Sequence, residues 1–134
     1  MKGKGFSITL TECKVDISKD KTKIKEFVNE IVSLIQMKKL GDMIINEGSE
    51  GLPGFSVIQM IETSHIALHT FSNNNSYMFS VESCKYFDDS KLMVFLLNYF
   101  APKDYSDITY PIILPKDVEV KWELNKYTIF YLKQ

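Results

Sequence analysis

Apolar and polar positions alternate with a period of two in four segments of this chain. The segments are residues 5–13 (GFSITLTEC), 55–62, 65–71 and 76–82. A β-strand with one face in the core and the other in solvent alternates in this way. The pattern therefore predicts four strands, and the loop SEGLPG at 49–54 leads into the second of them.

Two other segments change to the helical period. Residues 20–40 carry one apolar stripe and can end at Gly41, since glycine readily adopts the left-handed conformation of a helix C-terminus. Residues 88–100 predict a second helix, capped by an Asp or Ser and stopped before Pro102. The stripe of the first helix consists of Ile24, Phe27, Val28, Ile31, Val32 and Ile35.

The rest of the pattern predicts strands at 42–48 and 107–114 and a hairpin over 117–132. Strands outnumber helices and mostly follow one another through short turns, which favours antiparallel pairing. We therefore expect an α+β fold: a two-layer sandwich with helices on one face of an antiparallel sheet. A single domain over residues 1–134 accounts for the chain, because this length buries one core and not two.

A four-residue loop at 72–75 sets the register of the central hairpin. It pairs Phe71 with Ser76, and the further pairs follow by counting along both strands. These pairs are His69 with Met78, His65 with Glu82, and Thr63 with Cys84.

Alternation then assigns the side chains of this hairpin to two faces. Ile66 and Leu68 fall on the face that suits the helix layer. Taken singly, a strand histidine or a lone cysteine is more often structural than catalytic. The convergence of such residues at one end of one hairpin is what favours chemistry. The other face holds both histidines of the chain with a carboxylate and a thiol: His65, Ala67, His69, Phe71, Ser80, Glu82 and Cys84.

Composition limits the classes of partner that such a site could bind. The net charge is −1 and all 16 basic residues are lysines, so no basic stripe for nucleic acid or an anionic membrane is present. Without arginine, no bidentate clamp for phosphate or carboxylate is possible. No segment reaches the roughly 20 apolar residues of a membrane span. Cys13 and Cys84 form no CxxC pair, so we expect no metal, and two free thiols fit the cytoplasm.

Three stretches resemble a known family. GFS at 54–56, TSHIALHTF at 63–71 and SVESCKYFD at 80–88 are similar to the short bacterial and archaeal S-adenosylmethionine decarboxylases. Those enzymes depend on a pyruvoyl group and serve spermidine synthesis. The resemblance is specific over 54–88, weaker over the first helix and poor after about residue 100.

The resemblance implies that the chain is a proenzyme that cleaves itself between Thr63 and Ser64. Ser64 attacks the carbonyl of Thr63, and elimination leaves a pyruvoyl group at the start of the 64–134 fragment. That ketone then forms a Schiff base with the substrate amine and acts as an electron sink when CO₂ leaves. His69 and Ser56 match the positions for the proton shuttle and the oxyanion hydroxyl, and Cys84 matches the proton donor.

The departures from the family fall among the expected substrate contacts. Thr63 replaces a glutamate, but cleavage consumes its backbone carbonyl and not its side chain. Phe71 replaces a tryptophan and can stack on adenine, with the segment around Phe55 on the other side. Asn73 stands where the family has an acid that binds ribose hydroxyls, and Lys85 stands in place of a glycine.

Three functions remain open at this point. The first is decarboxylation of S-adenosylmethionine, and the second is pyruvoyl-dependent decarboxylation of ornithine or arginine. The third is an unprocessed homologue that binds a metabolite without catalysis. A sheet with helices on one face leaves its other face uncovered, so we expect a homodimer that stacks two such faces, as the resemblance also implies.

Overall fold

The computed structural model describes residues 3–115, 121–124 and 127–130, with side chains up to residue 115. Within the described residues, the predicted strands and helices are present, although some begin or end several residues from the predicted positions. In chain order they are β1 Gly3–Cys13, α1 Lys21–Leu34, β2 Ile44–Glu47, β3 Phe55–Ile61, β4 Ser64–Phe71, β5 Ser76–Ser83, α2 Asp89–Phe100, β6 Pro102–Ile112, β7 Lys121–Leu124 and β8 Tyr127–Phe130.

Six of these strands form one antiparallel sheet in the order β2-β3-β4-β5-β1-β6. The consecutive strands β2 to β5 pair through short connections, and β1 then inserts between β5 and β6. The predicted α+β class with an antiparallel sheet is confirmed. β4 lies between β3 and β5, so its side chains are placed by neighbours on both sides.

The first helix begins as predicted and ends earlier than predicted. The side chain of Asp20 accepts a hydrogen bond from the Lys23 amide, which caps the helix N-terminus. The helix stops at Leu34, and Gln36 adopts the left-handed conformation with φ of 57°. The predicted end at Gly41 is therefore wrong. The chain leaves the helix at Gln36 because it turns to meet the edge of β3, where the Leu40 amide donates to the Met60 carbonyl.

The core lies between the helices and one face of the sheet, which we call the core face. Phe27 of α1 is fully buried and contacts Phe79 of β5 and Phe100 of α2, with ring centroids 6.2 and 5.1 Å away. Burying one phenylalanine contributes about 1.5–3 kcal/mol, and truncating it to alanine costs about 3–5 kcal/mol. This aromatic cluster fixes both helices over the middle of the sheet.

No helix covers the other side of the sheet in the part of the chain that the structure describes, and we call this side the open face. Met60 and Met78 on this side are 48% and 46% exposed. An apolar, half-exposed sheet face is typical of an interaction surface. The strands β3 to β5 contribute to it Ser56, Ile58, Met60, His65, Ala67, His69, Phe71, Met78, Ser80 and Glu82.

The C-terminal part differs from the prediction in extent. The strand predicted at 107–114 begins five residues earlier, at Pro102, because pairing with β1 runs as far as Cys13. β7 and β8 form an antiparallel pair inside the hairpin predicted at 117–132. The rest of that predicted hairpin lies outside the described residues.

Candidate active site

The register predicted for the central hairpin is confirmed. Phe71 pairs with Ser76 across the four-residue turn, His69 pairs with Met78, and His65 pairs with Glu82. The ladder ends where Ser64 meets Ser83. Thr63 and Cys84, the last predicted pair, therefore lie just beyond the paired residues. The two histidines fall on the open face, as the alternation indicates.

Ser64 is the first residue of β4 and points to the core face. It is 7% exposed, and its Oγ donates a hydrogen bond of 2.9 Å to the Oγ of Ser83. Ser83 is 2% exposed, and its Oγ also accepts the Lys85 amide at 2.9 Å. A buried hydroxyl is stabilised by such partners, since leaving it unpaired costs about 1–3 kcal/mol.

The turn before Ser64 holds an unusual backbone conformation. Ile61 pairs with Ser64, so Glu62 and Thr63 form a two-residue loop, and both are exposed. Thr63 has φ of 57°, in the left-handed region. That region disfavours a β-branched residue, at a cost of about 1–2 kcal/mol. The peptide bond expected to break thus follows a strained residue.

A second polar pair occupies the other end of β4. The register places Ser56 of β3 opposite His69, and Ser56 Oγ lies 2.9 Å from His69 Nδ1. Both side chains are exposed on the open face. The histidine tautomer decides which atom donates in this hydrogen bond. A serine next to an accessible imidazole can pass a proton to or from a group placed above the sheet.

The structure does not bring all four predicted catalytic side chains together in one chain. Ser64 and Cys84 lie at one end of the central hairpin, whereas Ser56 and His69 lie five residues further along β4. Five residues of β-strand span about 16 Å. The residues predicted to converge at one end of the hairpin were the two histidines, a carboxylate and a thiol. His65, Glu82 and Cys84 lie near the Ser64 end, whereas the extended strand separates His69 from them.

A tyrosine–glutamate pair, missed in the sequence, lies on the open face near the Ser64 end. The Tyr110 hydroxyl donates to Glu82 Oε2 at 2.7 Å. Burial, followed by the hydrogen bond and charge of Glu82, raises the pKa of Tyr110 to about 12. The ring of Tyr110 crosses β1 above Gly5, where an added Cβ would lie 2.2 Å from a ring carbon. A glycine inside a strand was the available signal, because it marks a close approach.

The two cysteines have different surroundings. Cys84 follows β5 directly and is half-buried, next to Ser83. Cys13 is buried at the end of β1, and burial raises the pKa of its thiol to about 11. A thiol that resists ionisation suits a structural role. Within residues 3–115 and the two short strands after them, no group of three His, Cys, Asp or Glu could hold a metal ion.

The predicted substrate residues do not share one surface. Phe71 lies half-buried on the open face, and Asn73 is exposed in the turn beyond it. Phe55 lies on the other side of the sheet, where it packs against the core. Its amide donates to Thr70 Oγ1 at 2.9 Å. Within one chain, therefore, Phe55 and Phe71 do not face each other across a pocket.

Gly54 allows the close contact between β3 and β4 at this end. Its φ is 141°, and a Cβ there would lie 1.8 Å from the Thr70 carbonyl oxygen. Only glycine fits at such a distance, since the atom in the way belongs to the backbone. The GFS motif thus seats Ser56 opposite His69 by letting the two strands approach each other.

Comparison with known proteins agrees with this architecture. A family model described as S-adenosylmethionine decarboxylase matches residues 5–110. The crystal structure of the adenosylmethionine decarboxylase from Aquifex aeolicus VF5 matches with a TM-score of 0.66. It is 18% identical, and the match covers 87% of this chain and 95% of that chain. A search of curated protein sequences gives no match.

The family match and the structural match carry different weight. At this identity, the likeness to the solved structure shows the fold. The family match runs from β1 to β6 and includes both ends of β4. In the part of the chain that the structure describes, no helix is long and apolar enough to cross a membrane. Because the family match covers most of its length, this chain belongs to the S-adenosylmethionine decarboxylase family.

Proposed function

We propose that this protein is a self-cleaving, pyruvoyl-dependent decarboxylase of S-adenosylmethionine that supplies spermidine synthesis. The observation that carries the proposal is the setting of Ser64. It is a buried serine at the first position of a strand, directly after a strained two-residue turn, with its hydroxyl oriented by a neighbour. Family membership gives this geometry its chemical meaning.

Maturation rearranges the peptide bond between Thr63 and Ser64. Ser64 Oγ attacks the Thr63 carbonyl carbon, the C–N bond breaks, and the proton from the hydroxyl is transferred to the released nitrogen. The resulting ester loses the proton on the Ser64 Cα and breaks its Cβ–Oγ bond, which releases Thr63 as a carboxylate. Water then displaces the nitrogen as ammonia and leaves a pyruvoyl group at residue 64. No oxidant or metal enters this balance.

Strain at Thr63 favours the first step. A left-handed β-branched residue raises the energy of the intact turn, and breaking the peptide bond after it relieves that energy. When formed, the pyruvoyl group supplies an electron sink for loss of CO₂ from an α-amino acid. Residue 64 fits such a group, because its small side chain lies between β3 and β5 at the rim of the sheet.

The proton-transfer pair must come from a second copy of the chain. Ser56 and His69 lie about 16 Å along the sheet from Ser64 of the same chain, too far for direct proton transfer. They are exposed on the open face, which none of the described helices covers. A homodimer that stacks two open faces buries Met60 and Met78. It brings the partner's serine–histidine pair to the exposed Thr63–Ser64 turn at the rim of the sheet, although the Ser64 side chain itself points to the core face.

One symmetry operation produces this arrangement. A two-fold axis between the stacked sheets, perpendicular to the strands and near the Ala67 row, reverses the strand direction. It places the Ser56–His69 end of one chain over the Ser64 end of the other, about 10 Å away across the sheets. Phe71 and Asn73 of the partner move to the same site, since they lie at the His69 end. The substrate pocket is then formed by both chains.

The remaining roles follow from position. Cys84 lies beside Ser83 at the Ser64 end, where a thiol can return a proton to the substrate carbon after CO₂ leaves. Phe71 offers a ring for stacking on adenine. Asn73 offers an amide to the ribose hydroxyls, which is a weaker partner than the carboxylate of the family.

Intact mass spectrometry under denaturing conditions tests the proposal. We expect two fragments, residues 1–63 and 64–134, with the second blocked by a pyruvoyl group at its start. A single full-length mass after prolonged incubation contradicts the enzyme and supports a non-catalytic homologue. Release of CO₂ from carboxyl-labelled S-adenosylmethionine, ornithine and arginine, measured side by side, then identifies the substrate. Faster release from ornithine or arginine would replace the substrate while keeping the chemistry.

A further inference from the structure

We propose that Ser83 is a positioning residue for self-cleavage, because it holds the Ser64 hydroxyl in the orientation needed for attack. This inference rests on the proposed function and assigns a role to a residue outside the four that were predicted to be catalytic. Ser83 pairs directly with Ser64 across β4 and β5, and both side chains point to the core face.

The Oγ of Ser83 accepts two hydrogen bonds. It lies 2.9 Å from Ser64 Oγ and accepts the hydrogen bond from that hydroxyl. The same Oγ accepts the Lys85 amide at 2.9 Å, two residues along the chain. Ser83 is 2% exposed, so water does not compete for these bonds. A serine side chain without such a partner would rotate among three staggered positions.

Orientation is the contribution that a neutral hydroxyl can make. A serine hydroxyl is too weak a base to remove the Ser64 proton itself, so proton transfer stays with the histidine pair. By accepting the O–H, Ser83 fixes the side-chain torsion of Ser64 and leaves lone pairs of Oγ available for the Thr63 carbonyl. A displacement of about 1 Å in a reacting group can cost about 100-fold in rate.

The second hydrogen bond links the nucleophile to Cys84. The Lys85 amide donates to Ser83 Oγ, so the chain turns at Cys84, which lies between these two residues. The same oxygen accepts the hydrogen bond from Ser64. The hydroxyl of Ser83 thus helps to position both the expected nucleophile, Ser64, and the segment that carries the expected proton donor, Cys84. Ser83 touches neither the substrate nor the scissile carbonyl in this assignment, and it acts through Ser64.

Cleavage kinetics of freshly synthesised chain test this role. We expect Ser83→Ala to form the two fragments roughly 10- to 100-fold more slowly than the unmodified chain, by time-resolved denaturing mass spectrometry. Ser76→Ala is the matched control, because Ser76 lies on the same strand and is 7% exposed, but its Oγ accepts the Glu12 amide at the far end. This control should cleave at the unmodified rate.

A second pair of variants separates the hydroxyl from packing. Ser83→Thr keeps the hydroxyl and Ser83→Val has the same shape without it, so any steric cost is shared. We expect the threonine variant to cleave at least tenfold faster than the valine variant, from the same loss of orientation. Equal rates for these two, or an unmodified rate for Ser83→Ala, would overturn the role of Ser83.

Hydroxylamine distinguishes positioning from a purely structural effect, because it cleaves an accumulated ester at Thr63. If Ser83 positions the attacking oxygen, the ester does not accumulate in Ser83→Ala and hydroxylamine does not accelerate fragment formation. Strong acceleration would place the defect at elimination and overturn the inference. The proposed function fails separately, if the unmodified chain never cleaves.

Discussion

At its first residue β4 buries Ser64 beside a strained turn, and five residues later it exposes His69 beside Ser56. The first end holds the proposed nucleophile, whose hydroxyl is hydrogen-bonded to the buried Ser83. The second end holds the proposed proton-transfer pair, and both of its side chains are exposed on the open face. The two ends belong to one strand, yet they cannot reach each other, because an extended strand keeps them about 16 Å apart.

Under the proposed function, this difference separates the contacts that one chain supplies from those that need a second chain. Attack on a peptide carbonyl requires one side-chain orientation, which burial and a hydrogen bond provide. Proton transfer requires contact with the reacting atoms, which exposure on an interface provides. In the proposed mechanism, the orienting contacts therefore lie inside the protomer and the acid–base pair lies on the open face.

The largest expected effect on cleavage and decarboxylation comes from replacing Ser64. Ser64→Ala removes the attacking oxygen, so we expect no fragments and no release of CO₂, with the fold retained. Denaturing mass spectrometry and thermal unfolding measure both parts of this result. Ser80→Ala is a suitable control, since Ser80 lies on the open face of β5 between the two ends and should leave cleavage intact. Fragments from Ser64→Ala would show that the cleavage site is elsewhere.

Exchange of subunits tests directly whether His69 of one chain acts on Ser64 of the other. His69→Ala should cleave about 100- to 10,000-fold more slowly, because it lacks the acid–base group. Mixing it with Ser64→Ala under conditions of subunit exchange forms heterodimers with one intact site, made of Ser64 from one chain and His69 from the other. We expect cleavage of the His69→Ala chain to recover, as followed by mass.

The same mixture also distinguishes the alternative, in which the site lies within a single chain. If Ser64 and His69 act within one chain, neither variant carries a complete site and the mixture stays uncleaved. A monomer at micromolar concentration in analytical ultracentrifugation would also contradict a site shared between chains.

The next effect concerns Cys84, the proposed proton donor at the Ser64 end. Cys84→Ala should lower decarboxylation by about 100-fold or more in whatever processed protein it forms, as measured per pyruvoyl group. Cys13→Ala supplies the comparison, since Cys13 is buried at the end of β1 and its raised pKa suits packing. Unchanged turnover in Cys84→Ala would mean that another group returns the proton.

The proposed substrate contacts near His69 predict a variant with higher affinity for S-adenosylmethionine. Asn73→Glu restores a charged acceptor for ribose hydroxyls, and one charge-assisted hydrogen bond contributes about 1.5–3 kcal/mol, or roughly ten- to hundredfold in affinity. We expect KM for S-adenosylmethionine to fall by about that factor. Asn74→Glu adds the same charge one residue away in the same exposed turn. An equal gain from both variants would assign the effect to charge in general, and no gain would favour an amino-acid substrate.

The smallest effect concerns strain at the turn. Thr63→Gly should raise the free energy of unfolding by about 0.5–1 kcal/mol, because glycine adopts the left-handed conformation freely but costs more backbone entropy. Measured by thermal unfolding in the Ser64→Ala background, this corresponds to about 2–4 °C. With Ser64 intact, the relaxed turn should cleave up to about tenfold more slowly, since about 1.4 kcal/mol of lost strain corresponds to that factor.

Gln36→Gly is the control for that last effect. Gln36 also has a positive φ, but it lies at the end of α1, far from the scissile bond in the chain. It should stabilise the fold to a similar extent without slowing cleavage. Equal cleavage rates for Thr63→Gly and the unmodified chain would show that strain at this residue does not drive the reaction.

The sequence by itself determined the local features of this protein. A period of two and a four-residue turn were enough to predict the register from Phe71–Ser76 to His65–Glu82 and the face of each histidine. The apolar stripe was enough to predict where α1 begins. These features depend on residues close together in the chain, which share one strand, one turn or one helix face.

Only the tertiary structure decided which distant side chains meet. Ser64 and Ser83 are 19 residues apart and share a hydrogen bond. Glu82 meets Tyr110 above Gly5 only because β1 inserts between β5 and β6. The same extended sheet separates Ser64 from His69, although the chain brings them within five residues. Alternation assigns a face to each residue, but strand order and strand length set the distances across that face, and those arise from pairing between segments far apart in the chain.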